Sequence, residues 1–252
     1  MNFHVLNGDA LLDRFPLGIE GTRIVARLCL MDDPVASNNL KELIALRSQY
    51  INSLDLQDGP NIYIEKTVPE LDKLLKVPPK SDIYLWFEED LFCQVNFWFL
   101  CDLILTNLTQ PSVRLVLPIP STRYGFGGLN QEQLAISLQY AMDITADLPD
   151  FSNLWKFYKT DQYTGLKNQA ANMEQKYPFV GEAVNAHLDR QPDQFGMGKP
   201  HRIIKEIIEE AQTTDFGTVF KKFCEMEPIY GYGDLQFRVI YDGVLNTKSK
   251  KA

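Results

Sequence analysis

The chain is short of cysteine, histidine and positive charge, and each shortage removes a class of function. Its four cysteines are Cys29, Cys93, Cys101 and Cys224, and no two have the C-x-x-C spacing of a zinc site. Nor do they suggest a disulfide framework. Cys93 and Cys101 stand eight apart in an apolar segment and read as buried free thiols. The three histidines, His4, His187 and His201, have no ligand-spaced partner. A net charge of −8 argues against nucleic acid as a partner, because phosphate binding needs a basic surface. The deficit is uneven, but the stretch from Lys199 onward reaches only +1, too little for a DNA reader.

Long apolar runs are also missing. The longest, Val95 to Ile104, is broken by Asn96 and Asp102 and is too short to span a bilayer. The opening MNFHVLNGDALL has no basic segment followed by an apolar core, so no signal peptide is expected. The expectation is a cytoplasmic protein with no membrane partner. No serine or cysteine sits in a nucleophile-elbow sequence, which leaves covalent acyl chemistry without support. Neither a P-loop nor a complete dinucleotide fingerprint is present.

What is present is an alternation of apolar segments with helical patterns. Phe3 to Leu6, Thr22 to Leu30, Ile83 to Phe87 and Val113 to Leu117 read as strands. Ala10 to Phe15, Leu40 to Leu54, Val68 to Leu75 and Leu91 to Leu108 read as the helices between them. Strands that alternate with helices predict a mostly parallel, Rossmann-like α/β sheet over residues 1 to 120. Beyond it, Asn130 to Thr145, Phe151 to Tyr158, Leu166 to Lys176 and Val180 to Leu188 predict a helical domain over 121 to 198. Pro200 to Ala211 and Thr218 to Met226, then a strand at Leu235 to Tyr241, predict a small winged-helix-like module over 199 to 247. No other strand is expected after the fourth. The tail at 248 to 252, with Lys248, Lys250 and Lys251, reads as disordered.

The most informative stretch is LWFEEDLFCQVNFWFL, Leu85 to Leu100, where three carboxylates interrupt an apolar, aromatic run. Glu88, Glu89 and Asp90 fall at the junction between the third strand and the next helix, with Asp90 placed as its N-cap. The other strand ends are also acidic or polar: Asn7-Gly8-Asp9 after the first, Asp32-Asp33 after the second. In an open α/β sheet, ligands bind outside the carboxyl ends of the strands. Asn7, Asp9, Asp33, Glu88 and Asp90 are therefore expected to converge. Carboxylates brought that close share a proton, pair with a base such as Arg27, or hold a hard cation. Gln94, one turn after Asp90, is expected to face the same cleft, and Asn96 to be exposed. His4, inside the first strand, reads first as a structural histidine, and as a general base only if it faces the Asp9 cleft. RYGFGGLN, Arg123 to Asn130, reads as a hinge with Arg123 and Tyr124 as ligand contacts.

HVLNGDALLDRF, TRIVARLCLMDDPV and LWFEEDLFCQVNFWFL together resemble a bacterial family defined only as a domain of unknown function. Its pattern, a His-x-x-x-Gly-Asp start, an Arg-bearing second strand and an acidic-aromatic segment ending in Gln, falls on His4, Gly8, Asp9, Arg27, Glu88, Asp90 and Gln94. The likeness extends to the GYGD at Gly231 to Asp234 and covers most of the chain. Two positions depart from it: Leu28 stands where the family has an acid, and Asp33 where it has glycine. The resemblance implies a fold and a site region, with no chemistry attached.

The expected function is thus a polar-ligand or metal/nucleotide site at the strand edge, with hydrolase or transferase chemistry. Asp9, Glu88 and Asp90 would be its acid, base or cation ligands, and Asp9 with Asp90 would hold a divalent cation such as Mg²⁺. His4, Asn7, Arg27, Gln94, Arg123 and Tyr124 would contact a small polar or phosphorylated ligand. The alternative is a regulatory protein that binds an unspecified protein partner through its C-terminal module, its carboxylates being caps and turns.

Overall fold

The computed structural model of the chain describes residues 1–32, 34–54, 61–119, 125–194 and 196–249. The sheet is built from β1 (Asn2–Leu6), β2 (Thr22–Val25), β3 (Asp82–Trp86), β4 (Ser112–Val116) and β5 (Met142–Asp143). Their order is β2-β1-β3-β4-β5. The first four run parallel, and β5 pairs antiparallel with β4. The connecting helices are α1 (Asp9–Arg14), α2 (Leu40–Ser53), α3 (Ile62–Leu75) and α4 (Leu91–Asn107). This is the α/β, Rossmann-like sheet expected, followed by a helical part. The chain leaves β1 toward β2 on one side and returns to place β3 on the other, so the strand order reverses between β1 and β3.

Alternation along the strands divides the core between two faces. Val5, Ile83, Leu85, Val113 and Leu115 belong to the larger cluster, and Leu6, Trp86 and Val116 to the smaller. The larger is filled by α4, which is apolar on all sides and buried along most of its length. Phe97 on this helix packs at a tilt against Phe87 on one side and, edge-on at 4.8 Å, against Phe151 on the other. Phe151 belongs to α6 (Leu148–Tyr158), which is followed by α7 (Tyr163–Met173) and α8 (Pro178–Asp189). The same cluster runs on into α9 (Lys199–Ala211), α10 (Phe216–Met226) and α11 (Asp234–Ser249).

Three expectations are corrected. The strand expected at Leu235 to Tyr241 is the start of α11. Its aromatic residues mimic a strand, but Phe237, Tyr241 and Val244 follow helical spacing and are the buried face. No strand occurs among the described residues of 199–249, so this end has no wing and is not winged-helix-like. The helix expected over Asn130 to Thr145 stops early, as α5 (Gln131–Gln139), and Met142 and Asp143 then pair with Leu115 and Arg114. A fifth strand thus follows the expected boundary at 120.

The second strand ends at Val25, although Ala26, Leu28 and Leu30 stay buried. Side chains take over the backbone hydrogen bonds there: Thr67 donates to the Arg27 carbonyl, Tyr63 to Leu28, and Asn96 accepts from the Leu30 amide. Helix α11 takes in Lys248, so the tail is helical at least that far, while 250–252 lie outside the described residues. Among the described residues no helix is long and apolar enough to cross a membrane.

One buried group in the helical part titrates in an accessible range. His187 on α8 is 6% exposed, and both ring nitrogens lack hydrogen-bond partners among the described residues. It borders a cavity of about 70 Å³ with Arg190 and Asp161. Burial, reinforced by the Arg190 charge, pushes its pKa down from 6.5 to about 3. The unfolded chain therefore takes up this proton first as pH falls, so the contribution of His187 to stability is constant above about 6.5 and declines toward 3. A shift of that size corresponds to a loss on the order of 3 kcal/mol by pH 4. Urea midpoints of wild type and His187→Phe between pH 7 and 4 would check this. The variant is expected to lose less, and parallel curves would refute the assignment.

Candidate functional site

The site forms where β1 and β3 end side by side, Leu6 being paired with Trp86. Beyond them the chain presents Asn7 from one strand and Glu88, Glu89 and Asp90 from the other. Asp90 caps α4, its Oδ1 accepting from the Cys93 amide at 3.0 Å, so the expected cap is present. The cap holds the helix start against the strand end and turns Cys93 back toward Glu88.

Glu88 accepts at Oε1 from the Phe126 amide at 2.5 Å and at Oε2 from the Cys93 thiol at 3.2 Å. Asn7 donates to Cys93 Sγ at 2.8 Å and accepts from Asn96 Nδ2 at 3.2 Å. Gln94, fully buried, donates to the Glu88 carbonyl at 2.8 Å, which ties the loop to α4. Asn96 is 1% exposed, which corrects the expectation that it is exposed. On a helix apolar all round, its amide is enclosed and serves both the Leu30 amide and Asn7.

These groups border a cavity of about 580 Å³, a size ordinary for an organic ligand. Its floor is the strand edge. Its roof is the C-terminal segment, with Phe223 and Cys224 from α10 and Ile229, Tyr232 and Gln236 beyond it. Two glycines let the backbone close on the acids. A Cβ at Gly125 (φ +57) would lie 2.0 Å from Glu88 Oε1, and one at Gly231 (φ +61) 1.9 Å from Asp90 Oδ1. Gln236 ties the roof to the second strand's loop by donating to Cys29 Sγ at 2.9 Å.

Enclosure sets the proton affinities. Burial, then the charge of Asp90, pushes the Glu88 carboxyl up to about 7. Burial also raises Asp90. Burial and the two neighbouring acids push the Cys93 thiol well up, so it stays protonated and is no thiolate nucleophile. The buried-thiol reading of Cys93 and Cys101 therefore stands. The arrangement can exchange a proton near neutrality, through Glu88, with a ligand in the cavity.

Of the expected site residues, the structure brings Asn7, Glu88 and Asp90 to the cavity wall and sets Gln94 behind them. Asp9 and Arg27 are elsewhere. Asp9 opens α1 and is held by Arg27 through two bonds, Nε to Oδ2 at 2.8 Å and Nη2 to Oδ1 at 2.5 Å. Neither lines the cavity. Arg27 holds the Asp9 carboxyl below its usual value, as expected of an acid paired with a base. His4 faces the opposite side of the sheet and is 1% exposed. Its Nδ1 accepts from Trp86 Nε1 and its Nε2 bonds the Glu20 carbonyl, the pattern of a structural histidine. Asp33, Arg123 and Tyr124 lie outside the described residues.

A cation between Asp9 and Asp90 is not what this geometry offers. The metal-capable group among the described residues is Glu88, Asp90 and Cys93, whose ligand atoms lie within 4.8 Å of one another. Two carboxylates with a thiol suit a borderline ion such as Zn²⁺ better than Mg²⁺, which prefers an all-oxygen shell.

Sequence reasoning missed Cys93 and Asn96 as site members, and missed the roof. The signal for the first two was helical: Asp90, Cys93 and Asn96 recur every three residues and share one face. The GYGD segment was singled out only by resemblance, and its Gly231 is the residue that meets Asp90.

Fold and site together define a doubly wound α/β protein with a partly covered acidic cleft at its topological switch point. No protein-family model matches the chain, and no curated protein matches it.

Proposed function

We propose that the protein is an enzyme, a hydrolase or transferase, acting on a small polar ligand in the strand-edge cavity. Glu88 is the proton-transferring group. Asp90 raises its proton affinity, Gln94 positions the loop that carries it, and Asn7 holds Cys93, whose thiol donates to it. The observation that carries this reading is the location of Glu88: a carboxyl titrating near neutrality, in the wall of a ligand-sized cavity, at the strand reversal where α/β proteins bind ligands. A phosphorylated ligand fits this wall only with a divalent cation to mediate.

Thermal melting against a panel of sugars, amines, amino acids and nucleotides, each with and without Mg²⁺ or Mn²⁺, tests the site. A ligand that binds only the native state raises the melting temperature by mass action. At least one member is expected to stabilise the wild type and to lose that effect in Cys224→Trp, which fills the cavity from its roof. A panel with no stabilising member, or shifts that survive the filled cavity, would remove the basis for this function.

A further inference from the structure

The cavity has a chemical bias that narrows its ligand. Five carboxylates line it, Glu88, Glu89, Asp90, Glu182 and Glu227, and no lysine, arginine or histidine does so among the described residues. Glu227 alone is neutralised, by Lys199 at 2.9 Å. The other four have no ion pair among the described residues. They stand as like-charged couples: Asp90 acts on Glu88, and Glu182 acts on Glu89. Glu88, Glu89 and Asp90 are half-buried and Glu182 is exposed; like charges held this close raise each other's energy, and a positive ligand removes that cost.

The aromatic part of the lining points the same way. Phe92, Phe223 and Tyr232 border the cavity, and aromatic faces attract ammonium and guanidinium groups. A bare metal ion would leave most of the 580 Å³ unfilled and would not use the rings. We propose that the ligand is an organic cation, an amine or guanidine with a short apolar or hydroxylated body. Its charged end is held by Glu89 and Glu182, and its body lies between the rings and Glu88. This rests on the functional reading above and adds the class of molecule that Glu88 acts upon.

Titration calorimetry at low salt tests it with agmatine, spermidine and glucosamine as cations, and N-acetylglucosamine as the neutral control. AMP with and without Mg²⁺ is the anion, and Mg²⁺, Mn²⁺ and Zn²⁺ are tested alone. At least one organic cation is expected to bind, with affinity falling as salt is added. The double variant Glu89→Gln/Glu182→Gln, at one half-buried and one exposed position, should bind it about 10–100-fold more weakly with a melting temperature no lower than that of wild type. Cys224→Trp should abolish binding. If neutral or anionic compounds bind through the cavity while the cations do not, the charge assignment is wrong and the enzyme reading survives. Saturation by a metal alone, with no organic cation binding, would overturn the organic-cation assignment in favour of a metal centre. If no compound of any charge binds, both readings fall together.

Discussion

Glu88→Gln is expected to bind the ligand and to turn it over about 10²–10⁴-fold more slowly, the usual contribution of a positioned acid or base. The substitution is close to isosteric. Glutamine can still accept from the Phe126 amide through its oxygen, while its nitrogen meets the Cys93 sulfur in place of Oε2. The fold should therefore survive, and its pH response separates a catalytic carboxyl from a merely structural one. The folded-state pKa of Glu88 is raised from 4.5 to about 7. A carboxyl raised in the folded state favours folding at low pH, and that contribution is lost as pH climbs from about 4.5 through 7. Removing the carboxyl removes the loss. Above pH 7 the variant should equal or exceed wild type in stability, by as much as about 3 kcal/mol if the full shift is realised. Denaturation midpoints at pH 5 and pH 8, paired with turnover, make the check. A variant that is less stable than wild type by the same margin at both pH values, with unchanged turnover, would mean that Glu88 only supports the loop.

The second large effect is expected at Gly231. Alanine there must adopt φ +61, which costs about 1–2 kcal/mol for a residue with a Cβ. Its methyl would also lie 1.9 Å from Asp90 Oδ1, the oxygen that caps α4 through the Cys93 amide. Asp90 has a short side chain and cannot turn aside without giving up the cap, a further loss of about 1 kcal/mol. Gly231→Ala should thus destabilise by about 2–3 kcal/mol, a fall of roughly 5–10 °C in melting temperature, and should lift the roof and weaken ligand binding. A double-mutant cycle with Asp90→Ala locates the cause. If the clash with Asp90 matters, the two losses are less than additive, because the second substitution removes what the first collides with. Strictly additive losses would place the damage in the backbone conformation alone.

The site was partly legible because its acids interrupt an apolar pattern. Three carboxylates at the end of a buried strand have few structural uses beyond one cap, and Asp90 is that cap while Glu88 is half-buried beside it. The Asp9 assignment followed the same logic and failed on direction. The residue after Gly8 opens α1, and from there its carboxylate reaches Arg27 instead of the cavity. Position along a strand end is readable from sequence, but the bearing of a side chain at the first turn of a helix depends on how that helix leaves the sheet.

The amino-acid pattern by itself determined the α/β class, the parallel strands, the buried helix α4 and the place of the acidic loop at a strand's carboxyl end. Periodicity and local capping are short-range effects, encoded within a few residues of where they act. Only the tertiary structure decided that a roof from α10 and the residues around Gly231 closes over that loop, more than 100 positions further along the chain. That contact is set by the packing of α9, α10 and α11 into the common core. The enclosure it creates is what lifts the Glu88 carboxyl toward neutrality, because desolvation depends on everything that surrounds a group and on nothing in its own sequence neighbourhood alone.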